Sequence, residues 1–320
     1  MEKSSSLDLV MRIAFIWDWQ MVPSQTITWK DGLAAAVKEL CKKYDVRVFT
    51  MGGEYIFPHD YFPIYVTNDI VKSVKEFSPD KIIIWGDTTR PAARALAPLN
   101  IPMSLCFAGG HQDGEVIPYI DHFFVESQVY KDSFLAKGRS VSIAFGTNTE
   151  LFKPLPNQQK VFDALFPATF ALWKRHNLFA EATKGLKACA VGYMYDTHEQ
   201  DCWQVCEKSG ALVLPHCPPE ALQRLYAASK CVVIPTRSDG GSQRTVLEAM
   251  AMNVPVIVCG DSDKTTEYVR EGGGTIVAPD AKAIREAIDY LAVENNTRDY
   301  ILNKWSETIY ANKLEQWILS

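Results

Sequence analysis

Lys81-Ile-Ile-Ile-Trp85 is an almost unbroken apolar run of strand length. A strand with one face in water alternates apolar and polar residues, whereas one covered by helices on both faces does not need to. The neighbouring sequence supplies those helices. Upstream, Met11-Arg-Ile-Ala-Phe-Ile-Trp17 reads as a strand, and Leu33 to Lys42 as a helix with Leu33, Val37 and Leu40 on one face. Val46 to Thr50 is a second strand, followed by a helix through Ile70, Val71, Val74 and Phe77. Downstream, Pro102 to Phe107 and His122 to Val125 continue the series. Strand–helix alternation of this kind implies a doubly wound parallel sheet.

The alternation pauses at Thr147-Asn-Thr-Glu-Leu-Phe-Lys-Pro-Leu-Pro-Asn157, a polar, proline-bearing stretch suited to an interdomain connection. A second series then begins. Strands are expected at Val161–Phe166, Ala188–Gly192, Ala211–Leu214, Cys231–Pro235 and Val254–Cys259. Helices are expected from Lys174, around Cys202, at Pro219–Ala228 and Gln243–Met252, near Glu267, at Ala281–Leu291 and at Thr297–Leu319. The fold class is therefore α/β, with two Rossmann-like domains facing across a cleft. Residues 1–150 form the first domain and 151–296 the second, and a C-terminal helix in 297–320 packs back on the first. Open α/β sheets bind ligands at the carboxyl ends of their strands, so function is sought in that cleft.

Composition narrows the classes. A formal net charge of -5, well mixed along the chain, argues against nucleic-acid partners and against docking to an anionic membrane. The apolar runs are far shorter than a bilayer span, so no integral membrane segment is expected. The N-terminus lacks a basic region and its apolar stretch is cut by Asp18, so no signal peptide is expected. Eight cysteines without a framework spacing read as reduced thiols in a cytoplasmic protein. His198, Cys202 and Cys206 recur every four residues, with His216 and Cys217 following, and would share a helix face able to hold zinc. The alternative is a buried stripe of Cys202, Val205 and Cys206, and without paired C-x-x-C spacings no metal is expected.

The strongest local signal is Ser238-Asp-Gly-Gly-Ser leading into the helix that starts at Gln243. Paired glycines let backbone N–H groups approach a ligand, and a helix N-terminus adds unpaired donors and a positive dipole end. The turn reads either as a diphosphate cradle or as a surface loop with Ser242 as helix cap.

The run Gly240-Gly-Ser-Gln-Arg-Thr-Val-Leu-Glu248, continuing to Val258, resembles the donor-site signature of the retaining glycosyltransferases of GT-B fold, glycosyl transferases group 1. Leu222 to Pro235, Phe145 to Pro154, Lys174 to Ala182, Glu267-Tyr-Val and Gly272 to Pro279 resemble further segments of that family in order. The resemblance implies that Glu248 bonds the donor ribose hydroxyls, that Lys174 neutralises the diphosphate, and that the backbone of Gly241, Ser242, Gln243 and Arg244 cradles it. Thr245 and His216 join the donor-binding set. Lys174 also reads as a solvated helix-start residue, and Glu248 as a surface helical glutamate. Three departures stand out. The family's sugar-contacting glutamate is Gly240 here, with Asp239 beside it. The family's arginine before the lysine is Thr169, leaving Arg175 or Arg244 to reach the diphosphate. The family's first-domain histidine is displaced to His111, which is counted with Lys174 and Glu248 as catalytic.

The expected function is transfer of a hexose from a UDP- or GDP-sugar to a hydroxyl of a glycan, lipid-linked or other acceptor, with retention and without metal. No cofactor is expected beyond the nucleotide-sugar donor. A non-catalytic nucleotide-sugar- or glycan-binding relative is the alternative, and a nucleotide-sugar epimerase ranks behind it.

Overall fold

The central apolar runs become strands because their residues exclude water from both sheet faces, while Leu212–Pro215 forms a partly exposed edge. The structure, a computed structural model, describes residues 10–18, 30–86, 91–107, 118–194, 200–237, 244–291 and 296–320. The chain opens with β1 (Arg12–Asp18), α1 (Gly32–Leu40), β2 (Asp45–Met51), β3 (Tyr55–Pro58) and β4 (Pro63–Thr67). It continues with α2 (Ile70–Phe77), β5 (Lys81–Gly86), α3 (Pro91–Leu96), β6 (Met103–Phe107), β7 (His122–Val125), α4 (Gln128–Ala136) and β8 (Val141–Ile143). These eight strands form one sheet in the order β3-β4-β2-β1-β5-β6-β7-β8. Only the β3–β4 pair is antiparallel.

The second half begins with β9 (Phe162–Pro167), α5 (His176–Ala182), β10 (Ala188–Gly192), α6 (Gln200–Lys208) and β11 (Leu212–Pro215). Next come α7 (Pro219–Ala227), β12 (Ser229–Ile234), α8 (Arg244–Ala251), β13 (Val256–Cys259), α9 (Asp263–Gly272) and β14 (Thr275–Val277). α10 (Ala281–Asp289), α11 (Arg298–Lys304) and α12 (Glu307–Ile318) end it. The six strands form a parallel sheet in the order β11-β10-β9-β12-β13-β14. Strand order reverses beside β1 and β5 in the first sheet and beside β9 and β12 in the second. Those reversals open crevices at the strands' carboxyl ends.

Ile82, Ile83 and Ile84 are fully buried, as a doubly covered strand requires. One core packs the second sheet between its helices. Two cores flank the first sheet, one holding α2, α3 and α4 residues and the other α1 together with α12. Tyr310, Leu314, Trp317 and Ile318 of α12 belong to that last core, so the end of the chain packs on the first sheet.

Several regions depart from the sequence reading. β3, β4, β8 and β14 fall in stretches with no expected strand. The Thr297–Leu319 helix is two helices, broken at Trp305 and Ser306. Ser306 caps α12 through Ile309 N, and the Trp305 carbonyl accepts from Thr147 N at 2.8 Å, so the break serves a contact distant in sequence.

That contact lies where the chain passes between the sheets. Thr147 and Ser306 form a parallel bridge, and the Glu307 carboxylate accepts from Thr149 N and Oγ1, both at 2.8 Å. Arg298 donates to the carbonyls of Phe152, Ala251 and Thr149. α1 begins against the same strand: a Cβ on Gly32 would lie 2.0 Å from the Gly146 oxygen, and one on Gly146 would lie 2.7 Å from the Trp305 oxygen. Only glycine permits three backbone segments to approach this closely. Gly32→Ala is expected to cost about 3 kcal/mol, the upper range for overpacking a tight site. Gly260→Ala, whose added methyl would meet neighbours no closer than 3.4 Å, serves as the comparison and should cost far less by urea unfolding.

Candidate functional site

The loop after β9 is built around a close backbone approach. A Cβ on Gly192 would fall 1.8 Å from the Ala168 oxygen, so the end of β10 and this loop touch main chain to main chain. Ala168 N donates to Val191 O and Phe170 N to Tyr193 O. Phe170 stacks on His176, ring centroids 4.7 Å apart. Between these anchors a single 3-10 turn, Leu172–Lys174, precedes α5, and Arg175 takes the left-handed conformation at φ 58. The helix therefore starts at His176, and Lys174 sits on the turn before it, where the sequence suggested the helix itself. Arg237 N donates to Trp173 O at 3.0 Å, which ties the segment after β12 to the same turn.

Lys174 is partly buried, unlike a solvated helix-start lysine. Burial pulls its ammonium pKa down to about 8, against the opposing pull of the Glu126 carboxylate. Thr169 lies on the loop beside Gly192. Arg175 is committed elsewhere: its guanidinium pairs with both oxygens of Asp261 and reaches the Pro235 carbonyl at 3.4 Å. Of the two arginines offered by the sequence, the one lining the cleft is Arg244.

Arg244 opens α8 and donates to Asp31 Oδ2 at 2.6 Å, an ion pair that joins the two domains. Burial works against its charge, but the fields of Asp31, Glu248 and Glu126 outweigh that effect. Glu248, one turn further along α8, is 5% exposed and is no surface glutamate. Burial raises its pKa, while Arg244 and a 2.7 Å hydrogen bond from the Tyr226 hydroxyl hold it down. Tyr226 is fully buried on α7 and packs edge-on against Phe152. The hydroxyl of Thr245, in the first turn of α8, is buried without a hydrogen-bond partner among the described residues. Asp239, Gly240, Gly241, Ser242 and Gln243 lie outside the described residues, as do His111 and His198.

At the outer edge of the second sheet, β10 and β11 pair with Gly192 opposite Pro215. The residues that follow, Tyr193 and His216, stack with ring centroids 3.8 Å apart and planes 15° from parallel. The Tyr193 hydroxyl and His216 Nε2 are 2.8 Å apart. Burial lowers the His216 pKa, so the ring is neutral at pH 7 and offers a flat surface without charge. Cys202 and Cys206 are buried in the core, and the Cys206 thiol points at the His176 carbonyl. Their spacing thus fills the buried stripe of α6.

The first domain contributes an acidic face to the junction with Arg244. Asp31 and Glu126 line a small cavity there, closed from the core side by the buried rings of Trp85, Phe107, Phe124 and Tyr310. Glu126 is 6% exposed at the end of β7, and its carbonyl accepts from the Tyr268 hydroxyl of the second domain at 2.7 Å. The cleft thus brings Lys174, Arg244 and Glu248 into one electrostatic group, faced by Asp31 and Glu126. Sequence reasoning missed Asp31, Glu126, Tyr226 and Tyr193. An Asp-Gly pair before an amphipathic helix signals Asp31 as a cap, but not its second partner.

Tyr226→Phe removes the hydroxyl that Glu248 accepts from and leaves a buried carboxylate short of a donor. A loss of about 1–3 kcal/mol in thermal or urea unfolding is expected. An unchanged stability would mean that the pair contributes nothing.

Residues 162–294 match the family model described as glycosyl transferases group 1. No curated protein matches the chain. Among solved structures, sucrose-phosphate synthase from Thermosynechococcus elongatus is similar at 15% identity and a TM-score of 0.73, covering 96% of this chain and 98% of that one. HepE from Anabaena, solved in complex with UDP and glucose, is similar at 15% identity and a TM-score of 0.74, covering 96% and 99%. A glycosyltransferase from Rickettsia africae is similar at 15% identity and a TM-score of 0.75, covering 96% and 97%. At these identities the likeness establishes the two-domain fold. The stretch that matches the glycosyl transferases group 1 model holds the second sheet and the Lys174, Arg244 and Glu248 side chains.

Proposed function

We propose that the chain transfers a hexose from a nucleotide-diphosphate sugar to an acceptor hydroxyl, with retention of configuration and without a metal ion. The observation that carries this reading is that Lys174 and Arg244, the latter opening α8, both lie within the field of the Glu126 carboxylate. Two cations beside a helix N-terminus suit a diphosphate. Glu248, one turn along the same helix, suits the ribose hydroxyls, because a carboxylate offers acceptors only. The flat Tyr193–His216 pair suits the base. HepE was solved with UDP and glucose, and its likeness favours UDP over GDP.

In this reading the sugar–phosphate bond breaks as the acceptor oxygen bonds to the same face of the anomeric carbon. The departing phosphate oxygen takes the acceptor's proton. Lys174 and Arg244 stabilise the charge growing on that phosphate, which a preorganised, partly dry site does better than water. Closure of the two domains brings the acceptor to the donor and excludes water. His111, Asp239, Gly240, Gly241, Ser242 and Gln243 are assigned to the sugar and the diphosphate, and Thr169 and Thr245 to the donor margin, by resemblance alone. Arg175 is assigned to holding the loops around the donor. The eight free thiols suit the cytoplasm. Among the described residues, no helix is long and apolar enough to cross a membrane.

A thermal-shift screen of UDP-, GDP- and ADP-sugars tests the donor reading, because a ligand of the folded state raises its melting temperature. A UDP- or GDP-sugar should do so, and the absence of any shift at millimolar concentration sinks the reading. Lys174→Ala should lower kcat/KM about 10²–10³-fold, the range for losing a charge-stabilising donor. Product analysis with donor alone should give no epimer.

The Lys174 proton also predicts a pH dependence. The group is charged below about pH 8 and neutral above it. UDP affinity should therefore fall as pH rises past 8, by up to about tenfold per unit, and Lys174→Ala should flatten that slope. The unliganded fold behaves oppositely. Its penalty for holding a buried ammonium is full below about 8 and is relieved toward the unfolded value of 10.5, so this group's contribution to stability rises with pH.

A further inference from the structure

Asp31 uses its two carboxylate oxygens for two different tasks. Oδ1 caps α1 by accepting from Ala34 N at 2.8 Å, while Oδ2 accepts from Arg244 at 2.6 Å. The cap needs only one oxygen, and asparagine or serine would serve it as well. The second oxygen therefore calls for its own explanation. Asp31 is 8% exposed, and the glycine at position 32 wedges the start of α1 against Gly146, so the carboxylate is fixed in place. Arg244 is the movable partner, a long side chain on the first turn of α8, 31% exposed.

Resting on the donor reading above, we propose that Asp31 exchanges partners during the reaction: the donor diphosphate takes Arg244, and the released Oδ2 accepts a hydrogen bond from a second, non-reacting hydroxyl of the acceptor. A diphosphate carries more charge than one carboxylate and can engage the guanidinium through two parallel bonds, so it displaces Asp31 from the arginine. Asp31 and Glu126 line one small cavity beside Arg244, and the rings of Trp85, Phe107, Phe124 and Tyr310 around it are core residues at most 6% exposed. Two fixed carboxylates offer acceptors only, which suits the hydroxyls of an uncharged sugar or glycoside. A phosphorylated acceptor would meet Asp31 and Glu126 together and be repelled. The exchange also orders the substrates, since the acceptor's partner becomes available once the donor is bound.

The test is Asp31→Asn, which keeps the helix cap and removes the charge; thermal unfolding checks that the fold is retained. Calorimetric titration with UDP should show affinity raised threefold or more, because Arg244 loses its competing anion. Reaction with neutral methyl glycosides should show acceptor KM raised at least tenfold. Wild-type protein should use methyl glucoside in preference to glucose 6-phosphate. UDP affinity lowered in Asp31→Asn would overturn the exchange and make Asp31 a residue that merely aims Arg244. An unchanged acceptor KM, or equal use of the phosphorylated sugar, would overturn the acceptor half. Arg244→Gln separates this from the donor reading: if it binds UDP as well as wild type does, the donor assignment of Arg244 fails and the exchange falls with it.

Discussion

The close approach of three backbone segments at Gly32, Gly146 and Trp305 governs the geometry of everything that follows. α1 can start where it does only because neither Gly32 nor Gly146 carries a side chain. That start fixes Asp31, and through Asp31 it fixes where the first domain meets Arg244. The same junction sends the chain back across to place α12 on the first sheet, so the cleft is held at two crossings close together.

Charge is divided across the cleft in a way that composition conceals. The chain's net charge is only -5, yet the second domain presents Lys174 and Arg244 where the first presents Asp31 and Glu126. Each sign stabilises the other at modest cost, and each is suited to a different substrate: cations to a diphosphate, carboxylates to hydroxyls. Glu248 sits between these roles, held by Tyr226 and Arg244 inside the second domain.

The architecture was legible because buried parallel strands announce themselves. Ile82, Ile83 and Ile84 read as continuous apolar sequence and are fully buried. β3 and β4 were not legible, because Tyr55-Ile-Phe57 and Ile64-Tyr-Val66 are only three residues each, broken by Pro58 and Pro63, and Tyr55 and Ile56 are exposed at the sheet edge. The Thr297–Leu319 stretch has helical spacing throughout. Its break at Trp305–Ser306 answers to Thr147, a contact periodicity cannot register. At the site, Lys174 and Glu248 were identified by resemblance, but the burial that shifts their proton equilibria depends on packing. Asp31 and Arg244 are 213 residues apart, and no local pattern connects them. Arg175 looked as available as Arg244 until Asp261 appeared beside it.

The central claim is that Lys174 and its neighbours on the second sheet hold a diphosphate. Phosphorus NMR of UDP titrated with the full chain addresses it most directly, because each phosphorus reports its own surroundings. Both resonances should shift and broaden with wild-type protein, and the effect should be lost with a folded Lys174→Ala variant. A UDP spectrum unmoved by wild-type protein, or moved equally by the variant, would contradict the account.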